Sequence, residues 1–122
     1  MSRKTILVVD DDETTLKLEN AILHDEYIII AANSGEEAVV LIEKGFVPDL
    51  VLLDVFMYEM SGWNTLLKIH DLDDKNKIRI AIYSSSEDLE GMIKAKEYGA
   101  VDFIPKSVRG TELLERVEKL IN

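Results

Sequence analysis

"PDLVLLD", residues 48–54, is the stretch on which the fold turns. Apolar residues run without a break from Leu50 to Leu53 and stop at an aspartate. A strand with one wet face alternates apolar and polar side chains. An unbroken run suits a parallel strand covered on both faces. Parallel neighbours cannot be joined by tight hairpins and need crossovers, usually helices. The flanking sequence should therefore alternate between the two periodicities.

It does so in both directions. Upstream, "KTILVVD" reads as a strand ending near Asp10, "TTLKLENAIL" as a helix and "YIIIAA" as a second strand. "SGEEAVVLIEKG" is a helix with clear ends: Ser34 and Glu37 form a capping-box pattern, and Gly45 suits the C-terminal stop. Downstream, "GWNTLLKIHD" reads as a short helix, "KIRIAIYS" as a strand, "EDLEGMIKAKEYG" as a helix and "AVDFI" as the fifth strand. "GTELLERVEKLI" closes the series, with Leu113, Leu114, Val117, Leu120 and Ile121 at one-face helical spacing. Strands alternating with helices in this way imply an α/β fold with helices on both faces of a parallel sheet. The expected architecture is a flavodoxin-like (βα)5 single domain with a five-stranded parallel sheet in the order 2-1-3-4-5. In that order the winding reverses between strands 1 and 3, and ligands gather at the strand ends beside the reversal. The expected domain covers residues 1–122, with no output domain in this chain.

Bulk composition agrees and narrows the functional classes. Nearly half of the 122 residues are apolar and about a third charged, as in globular domains. No apolar run reaches the roughly 20 residues of a membrane span. "MSRKTILVVDDD" enters an acidic cluster too early for a secretory signal, and there is no cysteine for disulfides or thiolate metal sites. A cytoplasmic protein without membrane contact is the expectation. Fourteen basic against twenty-four acidic residues leave a formal charge of −10, which disfavours direct nucleic-acid binding and favours cations and basic partner faces.

The proposed topology brings distant acids together. Asp10, Asp11 and Asp12 follow strand 1, and Asp54 ends strand 3, its neighbour. Ser84 closes strand 4 and Lys106 follows strand 5, on the same edge. Packed carboxylates repel one another, so the cluster calls for a function: a cation site, a helix cap or solvated surface. Carboxylate oxygens at this density suit magnesium, which favours octahedral oxygen geometry with one or two carboxylates, waters and a phosphate. The absence of histidine and cysteine from the group argues against zinc or copper. An ionised Asp54 beside such a cation could attack a phosphoryl group, with Lys106 balancing charge on its oxygens.

"ILVVDDDETT", "PDLVLLDVFMYEMSGW", "IAIYSSSED" and "GAVDFIPKS" together resemble the successive signatures of a response-regulator receiver domain of the CheY type, over essentially the whole chain. The resemblance implies that Asp54 is the phospho-acceptor. It implies Asp10, Asp11, Asp54 and the backbone carbonyl of Phe56 around Mg2+, with Mn2+ an alternative, Asp11 ligating directly and Asp10 largely through water. Ser84 matches the switch hydroxyl, Ser85 the small residue that admits the phosphate, Phe103 the aromatic that turns inward on activation, and Lys106 the family's lysine. A histidine kinase or histidine phosphotransferase would supply the phosphoryl group from phosphohistidine. A downstream protein or output domain would read the face formed by helix 4, strand 5 and helix 5. Such a domain is not an enzyme beyond catalysing its own phosphorylation and dephosphorylation. The chain departs from the pattern in having Pro105 before Lys106 and Ser107 after it, Tyr58 and Ser61 in the loop after the acceptor, and serine at Ser84 for the commoner threonine. A cis bond at Lys106–Ser107 would be costly without proline.

Other readings compete. "VVDDDETT" also fits the D-x-D-x-T pattern of haloacid-dehalogenase-type phosphatases, with Asp10 as nucleophile and Asp12 as acid, though Asp54 then has no role. A flavodoxin would need a hydroxyl- and glycine-rich loop where this chain places acids. A receiver-like docking module that is never phosphorylated is a further alternative. Residue by residue, Asp12 alone suits a helix N-cap, His24 and His70 suit helix ends, and Trp63 suits packing. On the first helix, Leu18 and Ile22 share one face at 100° per residue. Leu16 and Leu23 then fall on nearly the opposite face, where an exposed leucine pair beside the pocket would suit docking of a partner's helices; the alternative is that one leucine tucks against the last helix.

Overall fold

A computed structural model describes residues 3–57 and 61–122. Five strands, β1 (Thr5–Val9), β2 (Ile28–Ala32), β3 (Leu50–Leu53), β4 (Arg79–Ser84) and β5 (Asp102–Pro105), form one sheet in the order β2-β1-β3-β4-β5. Every pairing is parallel. The helices are α1 (Glu13–Leu23), α2 (Gly35–Glu43), α3 (Gly62–Leu72), α4 (Leu89–Glu97) and α5 (Gly110–Ile121).

The unbroken apolar strands are explained by two cores, one on each side of the sheet. Successive side chains on a strand point to opposite faces. Leu7 and Val9 of β1 and Val51 and Leu53 of β3 therefore pack with Ala38, Ile42, Leu66, Ile69 and Ala95 of α2, α3 and α4. Ile6, Val8, Leu50 and Leu52 face the other way, onto Leu23 of α1 and Leu113, Val117 and Ile121 of α5. Each such valine, leucine or isoleucine side chain taken fully from water contributes about 2 kcal/mol. The right-handed crossover rule places α1 on one face and α2 to α4 on the other once the chain reverses after β2. That reversal opens a crevice between the carboxyl ends of β1 and β3.

Local signals end the helices where the sequence says they should. Asp12 caps α1 by accepting the Thr14 N–H, and Ser34 caps α2 by accepting the Glu37 N–H. Gly45, just past α2, has φ +99°, a conformation that costs glycine nothing. Two expectations need correction. The fifth strand runs to Pro105 rather than stopping at Ile104. It lies at the sheet's edge, where proline's missing N–H leaves no ladder bond unmade. The exposed leucine pair on α1 does not exist: Leu23 is fully buried and Leu16 packs against the α1/α5 core, whereas Leu18 is 53% exposed.

Candidate functional site

Backbone pairing sets the acidic cluster. Val9 lies opposite Leu53 in the β1–β3 register, and the Asp54 N–H donates to the Val9 carbonyl at 3.0 Å. Asp54 is thereby locked beside Asp10. Asp10, Asp11 and Asp54 each offer a carboxylate oxygen, and the three oxygens lie within 4.8 Å of one another. Asp10 and Asp54 are buried and Asp11 is exposed, so the cluster is walled below and open above.

One cation of the chain already reaches this cluster. Lys106 Nζ donates to Asp10 Oδ2 at 2.7 Å and to Asp54 Oδ2 at 3.4 Å. The lysine is carried there by strand pairing, because its own N–H donates to the Ser84 carbonyl at 2.7 Å. Burial works against its charged form, but the Asp10 hydrogen bond and the Asp54 charge outweigh that and hold the ammonium above its ordinary pKa. Burial pushes the Asp54 carboxyl up, against the opposing pull of the Phe56 N–H and the Lys106 charge, and Asp10 adds to the rise. The carboxylate is thus a strained anion, which a further positive charge would relieve.

Around Asp54 the backbone is held close. The Phe56 N–H donates to Asp54 Oδ1 at 3.0 Å, and the Gly62 N–H donates to the Val55 carbonyl at 3.2 Å. A Cβ on Gly62 would sit 2.2 Å from Val55 Cα and 2.3 Å from the Asp54 carbonyl oxygen, so only glycine lets α3 approach the loop this closely. Ser84 is fully buried, and its hydroxyl accepts the Ser86 N–H at 3.2 Å rather than turning to the acids. Ser85 is exposed at the rim. Phe103 is half-buried on β5 and shares with Val55, Phe56, Trp63 and Lys94 the wall of a cavity of 190 Å³ beside the acceptor loop. Trp63 packs edge-on to Tyr98, with Lys94 Nζ 5.1 Å from its ring centroid. Tyr58 lies outside the described residues.

Asp12 is not part of the oxygen set. Its carboxylate accepts the Thr14 N–H and the Thr15 hydroxyl, the work of a helix cap. The phosphatase pattern that needs Asp12 as a proton donor loses that residue. His24 caps α1 at its C-terminus, and His70 lies in the last turn of α3 with Nε2 buried against Gly99. One residue absent from the sequence reading belongs beside the site. Glu19 on α1 is 1% exposed, and its acid is pushed up to about 9 by burial, reinforced by the Asp10 and Asp54 charges and opposed by Lys106. Its signal in the sequence is a glutamate lying between Leu16 and Leu23 on one helical stripe.

All donors in the cluster are carboxylate oxygens, which fits a hard divalent cation such as magnesium. Among the described residues no helix is long and apolar enough to cross a membrane.

Residues 6–118 match the family model of the response regulator receiver domain. Response regulator PleD of Caulobacter vibrioides is 33% identical over 116 residues, 94% of this chain and 25% of PleD, so the chain spans about a quarter of that relative's length. The crystal structure of a CheY-like receiver domain protein from Methanospirillum hungatei superposes with TM-score 0.87 at 32% identity, over 98% of this chain and 94% of the other. The CheY of Borrelia burgdorferi, in a CheX–CheY–BeF3–Mg2+ complex, gives TM-score 0.89 at 30% identity, over 98% and 90%.

Proposed function

The chain belongs to the response-regulator receiver family, and from that premise we propose that it accepts a phosphoryl group on Asp54 in a phosphorelay. The observation that carries the reading is the convergence of Asp10, Asp11, Asp54 and Lys106 at one strand edge. An Asp54 oxygen forms the new P–O bond. The P–N bond of a donor phosphohistidine breaks, and its electron pair stays on the departing imidazole, which takes up a proton from water. The protein's share is positioning and charge balance, the dominant contributions in phosphoryl transfer. The Phe56 N–H fixes one Asp54 oxygen, which leaves the other to react. Lys106 moves from the carboxylates to the incoming phosphoryl oxygens.

Asp10, Asp11, Asp54 and the Phe56 carbonyl would hold Mg2+, or Mn2+ in its place, and the bound ion would neutralise the carboxylates and polarise the phosphoryl oxygens. Ser84 and Ser85 border the space the phosphate enters. Phosphorylation adds about −1.5 to −2 charges. Ser84 then turns to the phosphate, and Phe103 moves towards the space it vacates. The cavity beside Phe103 leaves room for such repacking. The outer face of α4, β5 and α5, on which Leu89, Ile93 and Val101 already lie exposed, changes with it and is read by a downstream protein or output domain. A histidine kinase or histidine phosphotransferase in the cytoplasm is the donor. Nucleic acid is not contacted directly, consistent with the formal charge of −10.

The test is incubation with a small acyl phosphodonor, with and without Mg2+, followed by intact mass. The expected result is one added phosphoryl group in the wild type with Mg2+ and none in Asp54→Asn. No addition to either protein would leave a phosphorylation-independent docking module as the better description.

A further inference from the structure

Glu19 has no part in the scheme above, yet it is one of the most deeply buried polar residues in the chain. Its side chain sits beneath α1, and Oε2 has no hydrogen-bond partner. A carboxylate with no partner is costly to bury, so the group stays neutral there. Four titratable or charged groups lie around it: three carry charges that act on it, and the fourth, a tyrosine, feels the Glu19 charge in turn. They are Asp10 after β1, Asp54 after β3, Tyr83 on β4 and Lys106 after β5. From the helix packed on α1, α5, the contribution is apolar: Leu113 and Val117 share the core, and Gly110 lies under Ile22. Glu19 contributes no oxygen to the three-carboxylate group itself.

The field at Glu19 therefore has a conditional sign. Two of the four neighbours, Asp10 and Asp54, are carboxylates that oppose ionisation, and Lys106 favours it. A divalent cation among the aspartates would reverse that local field. We propose that Glu19 is a positioning residue of the pocket: a fourth carboxyl, outside the set that touches the ion, which releases its proton to solvent when a divalent cation seats among Asp10, Asp11 and Asp54 and so strengthens the cation's hold. This rests on the reading of that cluster as a cation site. Linkage is reciprocal. If the cation drives the proton off Glu19, raising pH through the range where free Glu19 is still protonated must tighten cation binding.

The experiment is Mg2+ titration of the wild type, Glu19→Gln and Glu19→Leu by calorimetry, in buffers of different ionisation heat, from about pH 7 to about pH 9. The wild type should release a substantial fraction of one proton per ion near pH 8, and its affinity should rise several-fold per pH unit, to a limit of about tenfold. Both variants should release almost none and show a nearly flat profile. Carboxyl carbon-13 shifts of Glu19 in the wild type give the same answer without a substitution. Its midpoint should fall on adding Mg2+. Equal proton release by wild type and Glu19→Gln, or a Glu19 midpoint that ignores Mg2+, would overturn the proposal. Proton-coupled Mg2+ binding in a protein that never takes phosphate on Asp54 would uphold it while the phosphorelay reading fails. No Mg2+ binding at any pH would overturn both.

Discussion

Replacing Glu19 by glutamine should make the cation-free protein more stable, by an amount that depends on pH. In the fold, burial and the neighbouring acids raise the Glu19 acid from 4.5 to about 9. In the unfolded chain it ionises at its ordinary value. Between those two values folding must bind a proton. Stability from this group is therefore unaffected below about pH 4.5, falls by a factor of about ten in the folding equilibrium for each pH unit above it, and levels off near pH 9. At pH 7 the gap of about 2.5 units corresponds to about 3 kcal/mol, a large share of the 5–15 kcal/mol typical of a domain. Glutamine matches the neutral acid in shape and cannot ionise. Its extra N–H donor adds an offset that does not change with pH. The assay is urea unfolding of both proteins with a chelator present, from about pH 5 to about pH 8, followed by far-ultraviolet circular dichroism. The variant's advantage should widen with pH by about 3 to 4 kcal/mol across that range. A difference that stays constant from pH 5 to pH 8 would refute the reasoning, because it would mean that Glu19 is no more reluctant to ionise in the fold than in the unfolded chain.

Three further outcomes follow from the geometry. Mg2+ at a hundredfold its dissociation constant should stabilise the wild type by about 3 kcal/mol and Asp54→Asn much less, read as shifts in the thermal midpoint; equal shifts would separate Asp54 from the cation. Asp12→Ala should cost about 1 kcal/mol through loss of the α1 cap and leave phosphoryl uptake from a small donor nearly unchanged, whereas the phosphatase pattern requires that uptake to collapse. Gly62→Ala must displace the Asp54–Val55 backbone, so unfolding experiments should show a loss of about 1–3 kcal/mol and kinetics a slower phosphoryl uptake; a neutral substitution would show the approach to be loose.

The acidic site was legible in the sequence because it stands where strands end. Asp10 and Asp54 each close an apolar run, and a parallel sheet turns that into adjacency through the Val9–Leu53 register. Lys106 was legible for the same reason, two residues after the buried Ile104. The face of α1 was not. Its buried stripe centres on Glu19, and a helical wheel treats a glutamate as a surface marker. Leu18 and Ile22 then read as the core face and Leu23 as exposed, whereas Leu23 is fully buried. The cost of burying that acid is a property of its surroundings, which no single-sequence pattern contains. The fifth strand illustrates a smaller failure. Proline reads as a terminator unless the strand is already known to lie at an edge. Ser84 shows a third kind of limit. Its type suits a phosphate partner, but in this structure its hydroxyl serves its own loop, accepting the Ser86 N–H.

The central claim is that Asp54, and no other acid in the cluster, carries the transferable phosphoryl group. Acyl-phosphate trapping by reduction, after incubation with phosphodonor and Mg2+ and followed by peptide mass mapping, tests it at residue level. The account predicts a single reduced residue at position 54. Reduction at Asp10 instead, with Asp54 untouched, would contradict it.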